Sequence, residues 1–394
     1  MLPLENIKIL DLSRLAAGNM VSHMFADFGA DVVKIEKPGT GDDLRNWKIN
    51  GVSHWWAVYS RNKRSISIDL KKDEGLDLLK ELVKTADVFI ENFVPGTLEK
   101  WGIGPEKLNE LNKNLIILRI SGWGQTGIFK NAPGFGSLVE GMSGFAAMTG
   151  EEKQAPLLPP LALADMVAGL TGFGAILMAI MASKKNNTGG QVIDLSLFEP
   201  FFSILGPWAA SYKISGKVPA RIGNRSNVAA PRGIYKTKDN KYVSLSASMQ
   251  SMWEKLALTI GSSELIKDPR FLTNSDRLNN QDDLDKPISK FIKKYSRDEV
   301  LNIFSKEGIT VGPVLDISEI IEHPYIHDRE VLIDHYNKEY GNILMHQAFP
   351  RLSKTPGKVM HSAPQLGGDT DNVLKEIGIS DKQIHMLKKN KIIN

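Results

Sequence analysis

The chain has 394 residues, enough for about two ordinary cores. With 42% apolar and 24% charged residues and a formal net charge of +4, it reads as a soluble globular protein without the field that nucleic-acid or membrane binding would need. It contains no cysteine, which excludes disulfides, thiolate nucleophiles and Cys-based zinc sites. No signal or transit pattern opens the sequence, so cytoplasmic residence is the expectation.

Taken in order, Ile7–Leu12 reads as a buried strand, Ser13–Asn19 as a turn, and Met20–Phe28 as a helix that stops at Gly29. Ala30–Glu36 is a second strand. A strand, a helix and a strand joined so closely predict a parallel sheet. Arg64–Leu70, Val88–Asn92 and Leu115–Ile120 read as further strands, with a helix over Glu74–Lys84. The expected fold class is therefore α/β: a large doubly wound, Rossmann-like domain followed by a smaller α+β domain. Leu138–Thr149 and Leu197–Ala210 each predict one helix, and Gln191–Ser196 a strand. A Gly-, Pro-, Asn- and Arg-rich stretch places the boundary near residue 213. Residues 1–212 form the large domain, 213–334 the small one, and 335–394 return to the large domain.

A dinucleotide site is the first thing to test in such a domain. Its fingerprint requires three glycines in the first turn, and Leu15-Ala16-Ala17-Gly18-Asn19 has one. Glu36 stands where a ribose-binding acid would, but Lys37 follows it directly. Several cations cluster at strand ends instead: Lys37, Arg61, Lys63, Arg64, and Lys100 just beyond Asn92. Ligands of open α/β sheets bind beyond the carboxyl ends of strands.

The most unusual carboxylate is Asp165. It follows a Pro-rich approach and precedes Met166–Ala182, a run without charge. That run approaches the length of a membrane span, but Asp165, three glycines and Lys184-Lys185 favour a helix buried on all sides. Asp165 reads either as the N-cap of that helix or as a nucleophile or base kept ionised by the helix end.

Several runs together carry a resemblance: Ile9-Leu10-Asp11-Leu12, Phe28 through Gly39, Gly41-Asp42, Asn62-Lys63-Arg64-Ser65, Glu91 through Gly96, Ser121-Gly122-Trp123-Gly124, Ala164-Asp165 with Gly169, and Ala363 through Gly367. In these the sequence resembles the class III CoA-transferase (CaiB/BaiF) family, which includes formyl-CoA, carnitine and succinyl-CoA-dependent transferases and acyl-CoA racemases. The resemblance implies Asp165 as the aspartate that forms covalent intermediates. It implies CoA contacts at Ala16 and Ala17, at Lys37, at Ile68, Asp69, Leu70 and Lys71, at Asn92, Phe93 and Val94, and at Lys100. Pro133, Gly134, Phe135 and Gly136 match the segment beside the thioester. It also implies CoA and acyl-CoA as substrates with no tightly bound cofactor, no metal and no nucleic-acid partner, and an interlocked homodimer.

A carboxylate needs no general base to attack a thioester, which suits Asp165 to shuttle CoA between acids. The family's racemases instead need a His, in a run that is Gly134-Phe135-Gly136 here. A 2-methylacyl-CoA racemase, or a non-catalytic CoA-binding homologue, is the alternative. The glycine run of formyl-CoA transferases is absent from Gly223–Gly233, which speaks against oxalate–formate exchange. Arg225 and Arg232 in that segment either pair a second carboxylate of a dicarboxylic or hydroxy-acid acceptor, or bond loop backbone or the partner chain. The expected donor is succinyl-CoA-like.

Overall fold

Short apolar runs bounded by turns become parallel strands in the computed structural model, which describes all 394 residues. The strands β1 (Lys8–Asp11), β2 (Asp31–Glu36), β3 (Arg64–Ser67), β4 (Val88–Glu91), β5 (Ile116–Ser121) and β6 (Val192–Ser196) form one sheet. Their order is β3-β2-β1-β4-β5-β6, with every pair parallel. The order reverses between β1 and β4, the doubly wound arrangement expected from the sequence. β4 is buried along its whole length, so it reads as a continuous apolar run rather than an alternating one.

Four helices matter for the site: α1 (Leu15–Asp27), α2 (Asp73–Val83), α3 (Gly136–Met142) and α4 (Leu163–Asn186). In α2, Leu78, Leu79, Leu82 and Val83 face the core, and Asp73 and Glu74 complement the positive end of its dipole. α1 starts at Leu15, inside the stretch read as a turn. Leu15, Ala16 and Ala17 are good helix formers, and the turn itself is confined to the residues between Asp11 and Leu15. The predicted helices over 138–149 and 197–210 are each broken in two, at Gly144 (φ 95°) and at Gly206-Pro207.

α4 is longer than its uncharged run and packs against α1 at close range. A Cβ on Gly169 would lie 2.6 Å from Met20 Cβ and 3.0 Å from the Ala17 carbonyl oxygen. The expectation that α4 is buried on all sides is not met: Leu170 is 45% exposed, and Met178 and Met181 are each 67% exposed. Only the face carrying Ala168, Gly169, Gly172, Ile176, Ala179 and Ile180 is covered within the chain.

The chain forms two compact units. One comprises Met1–Gly144, Pro159–Gly206 and Tyr325–Asn394, the other Phe145–Leu158 and Pro207–Pro324. Phe145–Leu158, which the sequence reading left in the large domain, belongs to the second unit: the Arg221 guanidinium donates to the carbonyls of Glu151, Glu152 and Gln154. The second unit has an antiparallel sheet of β7 (Arg232–Lys236), β8 (Tyr242–Ser246) and β9 (Val311–Pro313). Its core includes Trp253, Phe271 and Phe304. Back in the first unit, a hairpin of β10 (Leu332–Asn337) and β11 (Gly341–His346) precedes C-terminal residues Val373, Leu374, Ile384, Ile392 and Ile393, which join the core around β1, β3 and β4.

Because α1 and α4 touch where neither has room, Gly169→Val should overpack the contact. A loss of about 1–3 kcal/mol is expected, seen as a lower midpoint in thermal unfolding.

Candidate active site

The carboxyl ends of β1 to β4 open into a cavity of about 380 Å³ lined by the turn Leu12–Arg14, by Glu36 and Lys37, by Ile68 to Lys71, and by Phe93, Val94, Thr97 and Trp101. It lies at the point where the strand order reverses, the usual nucleotide location in this architecture. The side chains of Lys37 and Lys71 are exposed at its wall and make no hydrogen bond or ion pair with the protein. Two unpaired cations at the wall of such a cavity suit a ligand with phosphates at one end.

Beneath the cavity is a web of buried charge. Lys34 Nζ lies 3.2 Å from Asp11 Oδ1 and 3.0 Å from Asp42 Oδ2, and it also donates to the Ser13 carbonyl. Asp42 accepts from the Leu15 amide (2.9 Å) and from Asn19 Nδ2 (2.7 Å), and Lys63 Nζ donates to Asn19 Oδ1 (2.9 Å). Burial alone would discharge these groups. Against it, Lys34 and Lys63 hold the Asp11 carboxyl below its ordinary value, and Asp11 and Asp42 hold Lys34 above its own. Burial dominates at Lys63, pushing it down to about 7 against the pull of Asp11. The web fixes the turn so firmly that Leu15 adopts a left-handed φ of 61°. Glu36 is committed as well: Arg45 holds it through two hydrogen bonds of 2.7 Å, so it is not a free ribose acceptor.

Asp165 is not on the cavity wall. It lies in the first turn of α4, partly buried, with its Oδ2 close against Gly136, the first residue of α3. A Cβ at Gly136 would come within 2.5 Å of that oxygen, so a larger residue there would turn the carboxylate away. Asp165 is not the N-cap. The cap position is Ala162, whose side chain makes no capping bond, and the acceptor comes from α3: Glu140 Oε1 takes the Ala164 N–H at 3.1 Å. Burial pushes the Asp165 carboxyl up to about 6, with the charge of Glu140 adding to the effect. The helix end does not, as the sequence suggested, keep its acidity high.

The structure gathers Lys37, Ile68, Asp69, Leu70, Lys71, Phe93 and Val94 at one cavity. Asn92 lies beside it, its amide bonded twice to the backbone of Arg14 (2.8 and 2.7 Å), where it fastens the β1–α1 turn to β4. Ala16 and Ala17 are buried in α1, and Lys100 is exposed outside the cavity lining. Pro133 and Gly134 meet the Gly122-Trp123 loop: Trp123 Nε1 donates to the Pro133 carbonyl (2.9 Å), and Phe135 is 62% exposed. In the second unit Arg225 is occupied, its guanidinium 2.6 Å from Asp282 and 2.7 Å from Asp285. Arg232 is exposed at the start of β7 without a protein partner. Sequence reasoning missed Glu140. The one acid of an otherwise apolar, small-residue helix was the available signal.

The fold thus presents two features: a cavity at the switch point of a doubly wound sheet, with the unpaired Lys37 and Lys71 at its wall, and a carboxylate of raised pKa at a helix start. Residues 4–370 match CoA-transferase family III. The chain is 35% identical over 396 residues to a succinyl-CoA–D-citramalate CoA-transferase of Chloroflexus aurantiacus, covering 99% of this chain and 98% of the relative. It is 32% identical to human succinyl-CoA:glutarate CoA-transferase, covering 95% and 86%. A crystal structure of a CaiB/BaiF family protein from Brucella suis superposes with a TM-score of 0.84 at 32% identity, covering 95% and 99%. The chain belongs to CoA-transferase family III, and it is a CoA-transferase.

Lys37→Ala and Lys71→Ala should each weaken CoA binding by roughly 3–10-fold in titration calorimetry at low salt, the loss shrinking as salt rises.

Proposed function

We propose that this enzyme moves CoA from a succinyl-CoA-type donor to a dicarboxylate or hydroxy-acid acceptor, with Asp165 as the covalent shuttle. The observation that carries this reading is the placement of the Asp165 carboxylate against Gly136, in the segment the family places beside the thioester. The full-length relatives named for succinyl-CoA with citramalate or glutarate support the substrate class.

The chemistry follows from the charges. An Asp165 oxygen attacks the thioester carbonyl, the C–S bond breaks, and CoA leaves as thiolate from a mixed anhydride. The thiolate attacks the aspartyl carbonyl, the anhydride C–O bond breaks, and the first acid departs with the former Asp165 oxygen. The acceptor carboxylate then attacks the aspartyl thioester, whose C–S bond breaks to free the thiolate and leave a second anhydride; the thiolate attacks the acceptor carbonyl and takes its acyl group, leaving an acceptor oxygen on Asp165. Each step exchanges one good leaving group for another, which is the advantage of covalent catalysis. Lys37 and Lys71 hold the nucleotide end in this reading, and Pro133 to Gly136 border the thioester. Water must be kept out while the anhydride exists. The racemase alternative lacks its second proton carrier: Phe135 stands in the His position, and no His acts on Asp165.

The exposed apolar face of α4, with Leu170, Met178 and Met181, supports a homodimer in which a second copy covers it, interlocked as in the family. α4 has the length and composition to cross a membrane, but Gly169 and Gly172 are fitted to Met20, Val21 and Leu118, which supports a protein-packed helix in a soluble, cytoplasmic enzyme.

Asp165→Ala should lower transfer at least 1,000-fold, an order-of-magnitude expectation for losing a nucleophile, while CoA binding by calorimetry persists. Wild-type protein incubated with acyl-CoA should yield a hydroxamate at Asp165 when hydroxylamine is added. Since Arg225 is neutralised by Asp282 and Asp285, Arg232 is the remaining candidate for the acceptor's second carboxylate. Arg232→Ala should raise KM for dicarboxylates roughly tenfold and leave monocarboxylates unchanged, whereas Arg225→Ala should lower stability instead. Equal KM effects on both acid classes would remove Arg232 from this role.

A further inference from the structure

Glu140 has no part in the family-derived site, yet it is 3% exposed in α3, one turn beyond Gly136. Its Oε1 accepts the Ala164 N–H, so a buried carboxylate holds the residue just before Asp165. α4 has no capping side chain of its own, and its first amides would otherwise lack this acceptor. Two carboxylates therefore meet at one helix start. Glu140 is bonded to the backbone, and Asp165 turns its Oδ2 toward Gly136, four residues before Glu140 on the same helix.

The other charged groups on elements packed against α4 are engaged elsewhere. On α1, Asp27 is paired with Arg61. His23, also on α1, is held well below its ordinary value by burial and by Arg61, which leaves it neutral. On β5, Arg119 is held between Glu91 and Glu99; on β6, Asp194 accepts the Gln125 amide; and Glu199, in the following helix, is bonded to Ser196. Among charged groups, Glu140 alone acts on Asp165.

We propose that Glu140 is a positioning residue for CoA transfer: it anchors the start of α4 so that the Asp165 carboxylate faces Gly136, and its own carboxylate at the same helix start favours acylation of Asp165. The physical logic is that ionised Asp165 is repelled by Glu140, while the aspartyl anhydride and thioester carry no charge at that carbonyl. Acylation relieves the repulsion. With its carboxyl pushed up to about 6, first by burial and then by Glu140, Asp165 is still roughly nine-tenths ionised at pH 7. Basicity is raised without losing the reactive form.

The inference rests on Asp165 being the nucleophile, so Asp165→Asn is tested alongside. kcat and kcat/KM for an acyl-CoA donor are measured from about pH 4.5 to 8 for wild type, Glu140→Gln, Glu140→Asp and Asp165→Asn, with CoA binding measured for each. Wild type should lose activity as pH falls through about 6, because protonation removes the nucleophile. Glu140→Gln keeps an acceptor for the Ala164 amide but no charge. Its acid limb should move down by about half a unit to one unit, with kcat at neutral pH reduced about 3–10-fold and CoA binding unchanged. Glu140→Asp keeps the charge but shortens the reach, so kcat should fall while the limb stays closer to wild type; it also serves where Glu140→Gln does not fold. An unmoved limb in Glu140→Gln, or wild-type kcat and limb in Glu140→Asp, overturns the proposal. Full activity in Asp165→Asn would instead overturn the nucleophile assignment itself, whatever the Glu140 variants do.

Discussion

The contact between Lys34 and the two carboxylates of Asp11 and Asp42 is the constraint on which the rest of the first unit depends. All three groups are buried, and each is tolerable there only because of the others. Together they fix the β1–α1 turn, the left-handed Leu15 and the start of α1. The turn forms one wall of the cavity, and α1 carries Ala17 and Met20 to Gly169 of α4. One ionic centre thus sets both the cavity and the helix that presents Asp165. Removing one member would leave an uncompensated buried charge, at a cost of about 3–5 kcal/mol.

The environment of Asp165 reverses the simplest electrostatic argument about it. An acid at a helix start is expected to be stabilised as the anion. Here burial and Glu140 outweigh the helix end and raise the carboxyl to about 6. A surface capping acid would be less basic and a poorer oxygen nucleophile. The acid that caps α4 is Glu140, contributed by α3, so the capping role that sequence left open for Asp165 falls to another residue.

The sheet was legible because β1, β2, β4 and β5 are buried runs of Val, Ile, Leu and Phe separated by turn residues, and their order follows from the doubly wound pattern. Of the cations read at strand ends only Lys37 lines the cavity, since Arg61 is paired with Asp27, Lys63 is buried and Arg64 opens β3; Lys71 and Phe93 were legible only through the family resemblance. What sequence did not reveal depends on contacts distant along the chain. α1 begins early because Asp42 bonds the Leu15 amide, twenty-seven residues away. The side chain of Asn92 is bonded to the backbone of Arg14, seventy-eight residues away. The partners of Arg225, Asp282 and Asp285, lie in a later helix. The β10–β11 hairpin went unread. The exposed face of α4 shows the same limit: an uncharged run signals a helix but not which of its faces this chain covers.

Family membership sets the reaction, and the geometry around Asp165 sets how this chain would carry it out. Transfer through an aspartyl anhydride and thioester passes one acceptor oxygen to the enzyme in each turnover. The most direct measurement uses an acceptor dicarboxylate labelled with ¹⁸O in its carboxyl groups, turned over with an acyl-CoA donor, followed by digestion and mass spectrometry of the peptide containing Asp165. The account predicts ¹⁸O in the Asp165 carboxyl and, from the second turnover on, ¹⁸O passed from Asp165 to the released donor acid. Turnover with no label in that peptide, or label on another carboxylate, would contradict it.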